Sequence, residues 1–203
     1  MKIAIIDYGV GNLFSLKSSI AAVGHEAVVT NEEAVIADAD KILLPGVGAF
    51  EDAAAKLRRS GMADVVKEQS AKGKPLLGIC LGMQLLLDKS FEYGEHEGLG
   101  LIPGNVRPIA DVIDPELKIP HIGWNPLIFR KPSPLYRYVE EGSCVYFVHS
   151  YYAADCASYV TADAEYSAML TASVENDNVF GVQYHPEKSG EVGLKILKAF
   201  CDL

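Results

Sequence analysis

Cysteine is scarce and unpaired in this sequence: Cys80, Cys144, Cys156 and Cys201 are the only four, and no two lie closer than 12 positions. Without a C-x-x-C pair there is no sign of a zinc knuckle or a redox dithiol. A chain of 203 residues, 49% of them apolar, fills a core without disulfide staples, so a reducing cytoplasm is expected, with about three of the four thiols serving as inert small hydrophobes. Long apolar runs are missing too. Stretches such as Ile3–Ile6 and Leu85–Leu87 are far too short to cross a bilayer. Met1–Ile6 is stopped by Asp7 with no small-residue cleavage site, and reads as a first strand rather than a signal peptide. Basic charge is in deficit, 18 Lys and Arg against 27 Asp and Glu, a formal net charge of −9. That balance argues against nucleic acid or an anionic membrane as the main partner. Repeats, low-complexity tracts and Pro-, Gly- or Ser-rich linkers are absent, and one domain over residues 1–203 is expected.

What is present is an alternation. Lys2–Ile6 predicts a strand, and the helix after it places Leu13, Leu16, Ile20 and Val23 at spacings of 3, 4 and 3. Glu26–Thr30 and Lys41–Leu44 are further strands, the latter ending at Pro45-Gly46, and the next helix carries Phe50, Ala53, Ala54 and Leu57 on one face. Pro75–Cys80 predicts another buried strand, and Met83–Leu87 opens another helix. This order implies an α/β fold, a mostly parallel central sheet with helices on both faces and ligands at the carboxyl ends of its strands. The second half differs. Val145–Ser150, Tyr159–Thr161, Met169–Glu175 and Val179–Tyr184 predict strands with short connections, hence an antiparallel C-terminal extension. A last helix near Glu191–Phe200 should bury Leu194, Leu197 and Cys201 and expose Lys195 and Lys198. The proline-rich stretch from Tyr93 to Pro134 shows no clear period and predicts a long loop, functional or poorly ordered.

The sharpest feature is Gly78-Ile79-Cys80-Leu81-Gly82, entered from a buried strand and leaving directly into a helix. Strand, tight turn and helix form a nucleophile elbow, with cysteine where hydrolases often carry serine. The turn strains the nucleophile's backbone, small neighbours admit a substrate, the helix start beneath suits a thiolate, and the Leu81 amide points at a developing oxyanion. A buried structural cysteine between packing glycines is the alternative. A thiol nucleophile needs a base, and His185, closing a strand and followed by Pro186 and Glu187, fits. Pro186 would hold an extended turn that lets Glu187 face and orient the imidazole. A capping or core role is the alternative for His185. Val47, between Gly46 and Gly48 at the end of a neighbouring strand, is the candidate second oxyanion donor together with Gly48. A rival reading starts from Gly9-Val10-Gly11-Asn12-Leu13-Phe14 with Glu32 and Glu33 downstream, a partial dinucleotide fingerprint. Phe14 in place of its third glycine should push the helix off the strand, which weakens it.

Gly78–Gly82 with His185-Pro186-Glu187 resembles the triad-type (class I) glutamine amidotransferases. Asp7–Asn12, Pro45–Phe50, Gly98–Gly104, Pro120–Asn125, Tyr146–Tyr152 and Gln183–Ser189, in order along nearly the whole chain, are similar to the glutaminase subunits of imidazole glycerol phosphate synthases in histidine biosynthesis. Tyr184 stands where that pattern has Phe. The resemblance implies a class I glutamine amidotransferase-like fold and L-glutamine as substrate. It implies Cys80 as nucleophile, His185 as proton carrier and Glu187 as its orienter, with no cofactor and no metal. Gln84 and the backbone near Gly48, Ser150 and Tyr151 would hold glutamine. Asn12, Trp124, Asn125, Tyr146 and Lys188 would face a (β/α)₈-barrel cyclase that receives the ammonia, in a cytoplasmic heterodimer. The glutaminase of another ammonia-channelling synthase, of the anthranilate or pyridoxal phosphate type, is the alternative enzyme. His121 and His149 are read as structural.

Overall fold

The computed structural model describes residues 1–203. Its first half runs β1 (Lys2–Ile6), α1 (Leu13–Ala22), β2 (Glu26–Thr30), α2 (Glu33–Asp38), β3 (Lys41–Gly46), α3 (Phe50–Arg59), α4 (Met62–Ala71), β4 (Leu76–Cys80) and α5 (Leu81–Leu85). Five short strands follow: β5 (Lys89–Ser90), β6 (His96–Glu97), β7 (Asn105–Pro108), β8 (His121–Pro126) and β9 (Ile128–Phe129). The remainder is β10 (Cys144–His149), β11 (Tyr151–Ala154), β12 (Val160–Glu165), β13 (Met169–Asn176), β14 (Val179–Val182) and α6 (Gly190–Cys201).

The main sheet has eight strands in the order β2-β1-β3-β4-β14-β13-β12-β9. From β2 to β14 the pairs are parallel, and from β14 outward they are antiparallel. The α/β class, the parallel centre and the antiparallel extension are therefore as the sequence implies. Alternate residues of β1 enter different cores, Ile3 and Ile5 on one face and Ala4 and Ile6 on the other. Burial on both faces is why these strands read as continuous apolar runs. No helix is long and apolar enough to cross a membrane.

Several expectations need correction. Val145–Ser150 does not join the main sheet: β10 pairs with β8 in a separate two-stranded sheet. The supposed loop of residues 93–134 thus contains β6–β9, and β11, β7, β5 and β6 build a third sheet. β8 does alternate, His121 inward and Ile122 and Trp124 outward, but glycine, histidine and proline hide the period. Two helices, α2 and α4, were not expected; α2 has only six residues, and the inner side of α4 includes the buried polar Gln69 and Ser70. The helix placed at Met83–Leu87 starts at Leu81, directly after Cys80. The strand placed at Tyr159–Thr161 runs on to Glu165. In α6 the buried residues are Gly193, Ile196, Leu197, Ala199, Phe200 and Cys201, with Leu194 only half-buried at their edge. Phe14 does not push α1 off the sheet; it is 82% exposed, and α1 packs through Leu16 and Ile20.

Candidate active site

Strand β4 is buried at every position and passes into α5 with no intervening residue, so Cys80 makes the whole turn at φ 55° and ψ −112°. A non-glycine residue held there stores about 1–3 kcal/mol of strain and persists only where its surroundings fix it. Gly82 fixes it by contact: a Cβ at that position would lie 1.8 Å from the Leu44 carbonyl oxygen. Gly82→Ala is therefore expected to cost about 3 kcal/mol or more by overpacking, a fall of about 6–12 °C in Tm for a chain of this size. Calorimetry of the purified variant checks this, and an unchanged Tm would show that the elbow is not tightly seated.

The base arrives on β14, which runs parallel to β4 with Val182 opposite Ile79. Three residues on, His185 Nδ1 lies 2.9 Å from Glu187 Oε1, with both side chains almost fully buried. Pro186 does not extend the turn as expected. It opens a 3-10 turn, Pro186–Lys188, closed by the Lys188 amide donating to the His185 carbonyl at 3.0 Å. That tighter turn is what folds Glu187 back onto the imidazole. Burial drives the His185 pKa down, but hydrogen bonding to Cys80 and Glu187 and their negative charge outweigh it and lift it to about 9. A buried imidazolium is thereby set beside the sulfur. The second carboxylate oxygen of Glu187 is buried without a partner, next to a narrow crevice shared with Asn12.

Leu81, Val47 and Gly48, which carry the candidate oxyanion amides, line the same cavity as the sulfur. Leu81 is the first residue of α5, and a first-turn amide has no carbonyl partner within its helix. On the other side Gly46 stands in register with Cys80. The two loop glycines have different reasons. A Cβ on Gly46 would meet the Gly82 nitrogen and Tyr8 Oη at 2.8 Å, so Gly46 serves close approach. Gly48 has φ +94° and open space around it, so it supplies the freedom to turn the Val47–Gly48 peptide.

These groups share a cavity of about 540 Å³, lined by Val47, Gly48, Cys80, Leu81, Gln84, Ser150, Tyr151, His185 and Lys188 among others. A larger groove of about 740 Å³ between α1, β2 and α2 offers His25 but no thiol or hydroxyl nucleophile. Gln84 donates both amide protons within the protein, to the Tyr151 carbonyl at 3.2 Å and to Gln183 Oε1 at 3.0 Å, which leaves its carbonyl oxygen free to accept. Gln183 in turn donates to Cys80 Sγ at 3.7 Å. Sequence reasoning missed Gln183, whose alternation within a buried strand carries no separate signal. It also missed Glu92, which lines the cavity and accepts the Phe50 amide at 2.6 Å; that residue sits in irregular chain with no motif around it.

Outside the cavity mouth, Trp124 is 54% exposed. Its ring meets Tyr146 edge-on at 5.9 Å, and Lys188 Nζ lies 6.0 Å from the centre of the Tyr146 ring. Asn125 differs from these three. Its side chain turns inward, to His121 and to the Glu165 carbonyl.

Residues 4–202 match the family model of class-I glutamine amidotransferases. The chain is 46% identical over 205 residues to the imidazole glycerol phosphate synthase subunit HisH of Syntrophotalea carbinolica, covering 99% of this chain and all of that one. It is 48% identical over 204 residues to the HisH subunit of a Geobacillus species, covering 99% and 96%. Among solved structures, PurLQS from Thermotoga maritima superposes with a TM-score of 0.77 at 20% identity, covering 99% of this chain and 97% of that one. A structure described as a glutamine amidotransferase does so at 0.75 and 18%, covering 98% of each. Those two establish the fold. Family model and full-length relatives together go further: the chain belongs to the class-I glutamine amidotransferases, in the group of imidazole glycerol phosphate synthase HisH subunits.

Proposed function

We propose that residues 1–203 form one glutaminase domain that hydrolyses L-glutamine and passes the ammonia to a (β/α)₈-barrel cyclase partner making imidazole glycerol phosphate. The observation that carries this is the meeting of Cys80, at positive φ, with His185, Leu81, Val47 and Gly48 in one cavity. In this reading Cys80 Sγ passes its proton to His185 and attacks the side-chain amide carbon of glutamine, while the Leu81 and Val47–Gly48 amides receive the oxyanion. His185 gives its Nε2 proton to the departing ammonia, and Glu187 holds the ring and balances its charge. Water, deprotonated by His185, then splits the γ-glutamyl thioester to glutamate and free thiol. The carbonyl oxygen of Gln84 and the Glu92 carboxylate suit the substrate's ammonium. With four free thiols, three of them buried, the cytoplasm is the compartment that we assign.

The partner contacts that we assign are Trp124, Tyr146 and Lys188, which cluster together, and with them Asn12 and Asn125. Because Gly48 lets the Val47–Gly48 peptide turn away cheaply, the isolated chain should be a poor glutaminase. One missing oxyanion donor costs about 10²–10³ in rate. Glutamine hydrolysis is measured on the chain alone, then with cyclase and its nucleotide ligand, and a rise of about that size is expected. Full activity without the cyclase would overturn the switch, and an undiminished response in a Trp124→Ala, Lys188→Ala double variant would overturn this choice of surface.

A further inference from the structure

β8 and β10 set His121 directly opposite His149, and both imidazoles are buried. Four short contacts thread them into a chain with a backbone carbonyl at each end. His149 Nδ1 lies 2.8 Å from the Tyr151 oxygen, and His149 Nε2 lies 3.0 Å from His121 Nδ1. His121 Nε2 lies 2.8 Å from Asn125 Oδ1, and Asn125 Nδ2 donates to the Glu165 oxygen at 2.9 Å. Each contact needs one proton. A neutral imidazole brings one N–H and one lone pair, and a side-chain amide between two neighbours donates to one and accepts from the other. Three protons therefore serve four contacts. Burial pushes the His121 pKa down and that of His149 to about 4, the latter further depressed by His121 and His185, so at neutral pH no fourth proton is held. Turning the Asn125 amide over only moves the shortage to the Glu165 end.

The position of that gap matters. With His149 protonated on Nδ1, the Tyr151 carbonyl is held and the gap lies toward Asn125. With both tautomers reversed, His121 donates to Asn125, and the gap falls on the Tyr151 carbonyl, left with only the Gln84 amide. His121 is stacked against Phe147 at 5.3 Å and Tyr166 at 4.2 Å, so the protons can shift while the rings stay in place. We propose that His121 and His149 are positioning residues, a tautomeric relay through which the Asn125 end of β8 sets how firmly the Tyr151 segment holds glutamine. This rests on the glutaminase reading of the cavity.

The test uses the Cys80→Ala chain, which should bind glutamine without turnover, labelled with ¹⁵N at histidine and glutamine side chains. On saturation with L-glutamine, the Gln84 amide should shift, and His121 and His149 should change their tautomer ratios together. A shifted Gln84 with both histidines unmoved would overturn the relay alone, and a silent Gln84 would overturn the glutaminase reading with it. His121→Phe keeps the aromatic stack and removes the relay. In the complex it should raise KM for glutamine about three- to tenfold, the worth of one hydrogen bond, with kcat nearly unchanged. An unchanged KM, or a fall in kcat alone, would overturn the proposal.

Discussion

Cys80→Ala abolishes glutamine hydrolysis, a fall of about 10⁴–10⁶ by comparison with nucleophile deletions elsewhere, while synthesis from added ammonium by the complex continues at its normal rate. The first half follows because no other group in the cavity replaces the sulfur: of the four cysteines only Cys80 lines it. The second follows from the division of labour proposed above, in which the acceptor chemistry lies in the cyclase. Alanine keeps the Cβ that the elbow already accommodates at positive φ, so the turn and the surface around it persist. Product formation is followed in parallel with glutamine and with ammonium salt as nitrogen source. Loss of the ammonium-driven reaction in a complex that still assembles would mean that Cys80 serves more than the glutaminase step.

Glu187→Gln should leave the fold intact and cut glutaminase turnover by about 10²–10⁴, the range set by loss of an orienting acid in comparable triads. The size comes from charge as well as geometry. His185 is held to about pH 9 against the pull of burial, with Cys80 and Glu187 as its hydrogen-bonding and charge partners. Removing the Glu187 charge lets burial win, so the imidazolium is lost at lower pH. The alkaline limb of the rate profile, near 9 in the parent, should move toward acid in the variant. Stability has the matching sign. A histidine whose pKa is raised by folding stabilises fully below its ordinary value of 6.5 and loses that contribution as pH rises through about 9. The parent's Tm should therefore drop across that window more than the variant's. A near-normal rate in Glu187→Gln would reduce Glu187 to a buried spectator.

The parts of the fold that could be read in advance were those with one-dimensional signatures. Strands buried on both faces, such as Lys2–Ile6 and Leu76–Cys80, appear as unbroken apolar runs, and the elbow announces itself through two glycines around Cys80. What stayed hidden depends on partners far along the chain. β8 carries its alternation on histidine, glycine and asparagine, and only pairing with β10 shows that His121 and Asn125 point inward. Resemblance alone places Asn125 among the outward-facing partner contacts, whereas its side chain turns to His121 and the Glu165 carbonyl. Gln183 reaches Gln84 and Cys80 from behind the cavity, and Glu92 lines it, through register and loop path, neither of which leaves a local trace. The Pro186 turn shows the same limit on a smaller scale, since proline fixes one dihedral and not the direction of the residue after it.

The parallel pairing of β4 with β14 also has a consequence for the making of the protein. Gln183 and Cys80 touch across 103 positions of chain, and every residue between them must be synthesised before β14, the neighbour of β4 that leads to the base, exists. At ribosomal speeds of about 5–20 residues per second, that is a delay of about 5–20 seconds. During it the nascent chain has its thiol on a half-built sheet with no base to work with. Chemistry therefore waits until His185 has been made and β14 has paired with β4, and a chain released before that point has no triad.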